Sequence, residues 1–99
     1  MGTFPAVETY RTELRATPFT PMTDAELAEA RRRNAMAHHS SAMEGIHPTP
    51  EQAAFHAMLL DERVPVVLAS EYHRRFLHER IVAPALARQG AAAPVAARA

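Results

Sequence analysis

The sequence predicts an all-α chain, with three main helices in a small open bundle that wraps a partner and with flexible termini. Helix start signals recur along the chain, and apolar residues repeat at spacings of three and four. No stretch shows the alternation of apolar and polar residues that is typical of a strand. We expect an N-terminal extension and linker over residues 1–22, a helical domain over 23–83 and a disordered alanine-rich tail over 84–99.

The N-terminal region is predicted to be mainly a linker, because prolines interrupt it and each disfavours helix at the residue before it. Val7, Tyr10 and Leu14 fall at helical spacing between two of these prolines. This spacing allows one short amphipathic helix ahead of the main helical domain.

The first main helix is predicted to run from Thr23 to about Glu44. Thr23 can cap it, and Glu26 at the third helical position completes a capping box. Gly45 suits the left-handed backbone just past a helix end. Because the helix is polar for much of its length, it can bury little against its neighbours and needs another surface to lie against.

Two further helices are predicted. Pro50 fits the first helical position after a threonine cap, and this helix should run to about Leu60 or Asp61. Pro65 can open the last helix, which Pro84 should end or kink.

The composition excludes several classes of protein. Eleven basic and eleven acidic side chains give a formal net charge of zero, which makes a nucleic-acid partner unfavourable. The chain has no cysteine, so disulfides, thiolate metal sites and cysteine nucleophiles are excluded. It also has no leader-like N-terminus and no apolar run of ~20 residues. We therefore expect no membrane association and a cytoplasmic location.

Catalytic and metal-binding chemistry is not expected. The six histidines lack the i, i+4 spacing of a helical metal site, and His38 and His39, being adjacent, point in different directions. The chain shows no phosphate-binding glycine loop and no Ser-His-Asp arrangement, so we predict no enzyme activity, no metal and no cofactor. Arginines 31–33 fan around their helix, and pairs such as Glu29 with Arg33 are typical of a solvated face.

The stretch "SSAMEGI" at residues 40–46 contains the most unusual placement in the chain. Ser40 and Glu44 are four residues apart and therefore share a helix face. Glu44 in the last turn faces the negative end of the helix dipole, which costs a few tenths of a kcal/mol. A carboxylate in a locally unfavourable place points to a role outside the helix.

These residues resemble the inhibitory motif of Fic-domain regulation, in which serine or threonine, three residues, glutamate and then glycine or asparagine follow in order. Ser40, Glu44 and Gly45 fill those positions. The segment "NAMAHHSSAMEGIHPTPEQAAFHAMLLDERV" is also similar in order to the small antitoxins of the VbhA type. The resemblance covers about residues 24–80, and the N-terminal segment and the tail lie outside it.

The resemblance implies a mechanism of inhibition in trans. Fic enzymes transfer AMP from ATP to a hydroxyl side chain, and the motif glutamate pairs with the arginine that would hold the γ-phosphate. The misaligned α-phosphate then reacts more slowly, since small misplacements cost on the order of 10²-fold in rate. This chain lacks the catalytic histidine and the "GNGR" loop of Fic enzymes, so the toxin would be a separate chain in a heterodimer or higher complex.

Apolar residues of all the helices are predicted to provide the binding surface for this toxin: Met36, Met43, Phe55, Met58, Phe76 and Leu77. The main alternative is a small helical DNA-binding or autoregulatory protein. A generic helical interaction module, in which "SSAMEG" is only a helix end, is the second alternative. Co-purification with a Fic-domain protein would separate the first interpretation from the others.

Overall fold

The computed structural model describes residues 3–92, and within that range it contains helices and no strand. The all-α prediction is confirmed. The described residues form four helices when the last two α segments are counted as one joined helix, and the one beyond the three main helices expected is the helix over residues 5–15. The helices are α1 (Pro5–Arg15), α2 (Asp24–Met43), α3 (Pro50–Asp61), α4 (Val66–Leu77) and α5 (Ala83–Ala92), and a π-helical turn, His78–Val82, joins the last two. The chain divides into two compact units, Met1–Val66 and Val67–Ala99.

In the first unit, α1 packs against α3. The ring of Tyr10 meets the ring of Phe55 edge-on, with 5.6 Å between the centroids. Both rings are buried, together with other apolar side chains of the same unit: Val7, Leu14, Met22, Met58, Leu59 and Val64. The region predicted as an extension and linker therefore supplies part of the core, since the apolar stripe of α1 needs a surface to cover it.

An ion-pair cluster joins the same two elements at one end. Arg11 Nη1 and Arg15 Nη2 each lie 2.9 Å from Oε2 of Glu62, the residue that caps the C-terminus of α3. The hydrogen bond from Arg15 is the largest cause of a lowered pKa for the Glu62 carboxyl, and Arg11 adds to it. Glu62 is only 15% exposed, so this cluster is better shielded from solvent than an ordinary surface pair.

Helix α2 begins with the predicted capping box. The Glu26 N–H donates to Thr23 Oγ1 over 3.2 Å, and the Thr23 N–H donates to Glu26 Oε1 over 2.8 Å. None of the 20 residues of α2 is buried, although the helix contacts α3. A long helix that buries so little is held in place mainly by its caps and by one narrow line of contact.

Both α2 and α3 end in the same backbone motif. After α2, the Gly45 N–H donates to the Ala42 carbonyl and the Ile46 N–H donates to the Ser41 carbonyl, at 3.0 and 2.9 Å. After α3, the equivalent left-handed position is held by Arg63, with φ of 54°. Arg63 is kept there by tertiary contacts, including an ion pair of 2.7 Å to Asp24.

In the second unit the helix continues through Pro84, where the sequence predicts an end or a kink. A proline ring clashes with the carbonyl four residues earlier in a regular α-helix. The wider π turn ahead of it, in which the Ala83 N–H donates to the His78 carbonyl, accommodates this ring. The part of the predicted disordered tail over residues 84–92 is therefore helical, and residues 93–99 lie outside the described range, as do Met1 and Gly2.

Within the described residues, every helix is too short or too polar to cross a bilayer.

Candidate functional site

The predicted motif lies at the C-terminal end of α2. Met43 is the last helical residue, and Glu44 follows as the C-cap with φ of −95° and ψ of 5°. The prediction placed Glu44 in the last turn, so the observed position is one residue beyond it. Gly45 has φ of +79°, and a Cβ atom built there meets nothing within 4 Å. A glycine is therefore needed at position 45 for its left-handed backbone conformation, and not because another group packs closely against it.

The two polar side chains of the motif are exposed. Within the described residues, neither the Ser40 hydroxyl nor the Glu44 carboxylate takes part in a hydrogen bond or an ion pair, and no bond joins the two. The serine hydroxyl therefore does not orient the carboxylate in the free chain. Both groups keep their full capacity to bind an external partner.

The motif lies on the side of α2 that faces away from α3. Residues turn by about 100° each in an α-helix, so Met36, Ser40 and Met43 fall within about 60° of one another. The partly buried residues Asn34, His38 and Ser41 lie roughly 160° away from them. We call this first group, together with the C-cap residue Glu44, the outer face of α2: Met36, Ser40, Met43 and Glu44.

The outer face combines the exposed carboxylate with apolar side chains. The side chain of Met36 is 57% exposed and that of Met43 is 77% exposed. Methionine is flexible and adapts to irregular apolar surfaces, which makes it common at binding sites. Met36 also contacts the head group of Arg32 through its sulfur, at 3.3 Å from Nη1.

The other residues predicted to bind a partner lie elsewhere. Phe55 and Met58 are completely buried and Phe76 is 1% exposed, while Leu77 is partly buried. The first three belong to the interior of the folded chain and cannot present surface to a partner, so we revise them to core residues. Their periodic spacing is equally typical of a helix packed within its own fold, and no local signal separates the two cases.

A cavity of about 180 Å³ lies on the opposite side of α2, between α2, α3 and the connection that joins them. Three histidines, His38, His47 and His56, line it. The rings of His38 and His56 lie 6.0 Å apart between centroids. Sequence reasoning missed this cluster because the three residues come from α2, a connection and α3, and only the packing of α2 on α3 brings them together. The spacing of His38 and Ser41 on one helix face was the one local signal.

The arginine run of α2 is tied to carboxylates. Arg32 Nε donates to Glu29 Oε2 over 3.1 Å, and Arg33 Nη1 lies 3.8 Å from Glu29 Oε1, which is the predicted i, i+4 pair. Arg31 Nη2 lies 3.9 Å from Asp61 Oδ1 on α3. All three guanidinium groups thus have an acidic neighbour, which weakens the case for a phosphate-binding strip.

Within residues 3–92, no three histidine or carboxylate side chains are arranged to hold a metal ion.

Comparison of the chain with protein-family models, with curated proteins and with solved structures finds no match.

Proposed function

We propose that the chain is an antitoxin that binds a Fic-domain AMP transferase and inhibits it by inserting Glu44 into the site of the ATP γ-phosphate. The observation that carries the proposal is the position of this carboxylate. It stands exposed at the end of a 20-residue helix and, within the described residues, it has no partner. A carboxylate that stabilised its own fold would be expected to pair with a donor of that fold.

The chemistry of such a site suits an arginine. A guanidinium group binds a carboxylate through two parallel hydrogen bonds, which are about twice as strong as bonds between neutral groups. A carboxylate held at the same place also repels a phosphate oxygen. Inhibition would therefore depend on one charge at a defined position, and a neutral side chain there would bind without blocking the nucleotide.

The outer face of α2 would supply the first apolar contacts with the toxin. Met36 and Met43 lie on this face and are exposed. Apolar anchors around a central polar contact are typical of an interface that excludes water from that contact. A complex of this kind would form in the cytoplasm, where the proposed enzyme and its ATP would be found.

The test is to co-express the chain with the Fic-domain protein that co-purifies with it, and to measure both complex yield and AMP transfer from ATP. Glu44→Gly should restore AMP transfer by on the order of 10²-fold while the complex still forms. Glu44→Gln should also restore AMP transfer, because it removes the charge of the side chain and keeps its shape.

Glu71→Gln is the matched control, since Glu71 is an exposed carboxylate on α4 that is not part of the motif. It should leave inhibition intact. Full inhibition by Glu44→Gly would refute the proposed displacement of the γ-phosphate and favour simple occlusion. Failure of any Fic-domain protein to bind the wild-type chain would refute the antitoxin function itself.

A further inference from the structure

We propose that the cavity between α2 and α3 is a binding site for a free tetrahedral oxyanion of the phosphate or sulfate class. The proposal is independent of the antitoxin function, because Glu44 does not line the cavity. It rests on the lining of the cavity and on the charge of the groups around it.

The lining combines two apolar residues, Ile46 and Pro48, with several hydrogen-bond donors. Besides His38, His47 and His56 it contains Ser41 and Gln52. Gln52 uses Oε1 to accept the Thr49 N–H over 3.0 Å in the capping box of α3. This bond fixes the orientation of the side-chain amide and leaves its NH₂ group as a donor. The Ser41 hydroxyl has no partner within the described residues, so it can also donate.

The charge of the site favours an anion when the imidazoles carry protons. Within the described residues, neither a carboxylate nor an arginine lines the cavity. Glu44 at the end of α2 and Glu51 in the first turn of α3 are the nearest acidic residues along the chain, and both lie outside the lining.

Other charged groups of the packed elements pair with one another. Arg31 of α2 pairs with Asp61 of α3 at 3.9 Å. The arginines of α1 converge on Glu62.

Proton binding and anion binding should therefore be linked. Histidine ordinarily carries a proton only below about pH 6.5. Like charges around one cavity repel one another, and a bound anion offsets such repulsion. The rings of His38 and His56 lie 6.0 Å apart between centroids, close enough for one anion beside them to contact both.

The experiment uses the full chain and sulfate, whose charge does not change near neutral pH. Sulfate is titrated against chloride at equal ionic strength, and the imidazole NMR signals of all six histidines are followed at about pH 6 and about pH 8. We expect saturable shifts at His38, His47 and His56 at the lower pH, and affinity at least about tenfold weaker at the higher pH.

His39→Gln is the matched control for His38→Gln, because the two residues are adjacent on α2 and only His38 lines the cavity. His38→Gln should weaken sulfate binding by about tenfold, and His39→Gln should not. His47→Gln, in the connection between helices, gives the same test without altering a helix. Equal shifts at all six histidines, or no difference between sulfate and chloride, would overturn the proposal.

Discussion

At the scale of single residues, Gly45 sets the direction in which the chain leaves α2. Its φ of +79° lies in the region that costs a residue with a side chain roughly 1–2 kcal/mol. We expect Gly45→Ala to lower the free energy of unfolding by about 1 kcal/mol, because no side-chain clash adds to the backbone cost. Gly45→Asn should lose less, since asparagine tolerates this conformation. Chemical denaturation measures both.

Gly90 provides a control, because replacing it with alanine should change the free energy of unfolding in the opposite direction. It lies inside α5 and a Cβ atom there also meets nothing within 4 Å. Gly90→Ala should therefore leave the free energy of unfolding unchanged or raise it by up to about 1 kcal/mol, because alanine favours helix. If both substitutions changed stability in the same direction, the conformational explanation for Gly45 would be wrong.

At the scale of elements, α2 differs from α3 in how little it buries. No residue of α2 is buried, whereas α3 buries Phe55, Met58 and Leu59. Opening of a segment with few buried apolar contacts costs little free energy. We expect backbone amides over residues 33–43 to exchange with deuterium at least about tenfold faster than those over residues 55–60. Equal protection of the two helices would show that α2 has a stabilising contact within the free chain.

The joined helix of the second unit depends on its π turn. Pro84 in a regular helix would cost ~3 kcal/mol, and the His78–Val82 turn relieves part of this cost. We expect Pro84→Ala to convert the turn to α-helix and to raise stability by about 1 kcal/mol. NMR Cα shifts over residues 78–82 report the change. Pro65→Ala, just ahead of α4, is the control and should not raise stability, because proline fits a helix start.

At the scale of the folded chain, the Glu62 cluster links stability to pH. The pKa of Glu62 is lowered in the folded state by its hydrogen bonds to Arg15 and Arg11. The ion pairs therefore stabilise the fold fully above the ordinary glutamate value of about 4.3, and this contribution is lost as pH falls through the lowered value. Glu62→Gln should reduce stability at neutral pH by about 1 kcal/mol.

In the Glu62→Gln variant, the free energy of unfolding should also fall less as the pH is lowered from neutral to acid. Thermal unfolding over this pH range measures the change. Glu29→Gln is the control. The pKa of Glu29 is also lowered, chiefly by its hydrogen bond from Arg32. Its partners lie within α2, so its loss should affect global unfolding much less. If the free energy of unfolding of Glu62→Gln fell with acid as steeply as that of the wild-type chain, other groups would set the pH dependence of stability.

The sequence by itself determined where α2 and α3 begin and how α2 ends, because each signal acts over a few residues. Thr23 bonds to the third helical N–H, Pro50 opens α3, and Gly45 takes the left-handed conformation, as predicted. The helical nature of residues 36–43 follows from these local rules.

Only the tertiary structure decided which apolar stripes are covered. Residues 5–15 became part of the core because α3 offered them an apolar face, and Phe55 and Met58 were thereby removed from the surface. The histidine cavity likewise required two helices to meet. Arg63 has a left-handed conformation at the end of α3 and contacts Met22 and Asp24, which are distant in the chain. The spacing of apolar residues indicates only which side of a helix is apolar. Whether that side is buried depends on residues that are distant in the chain.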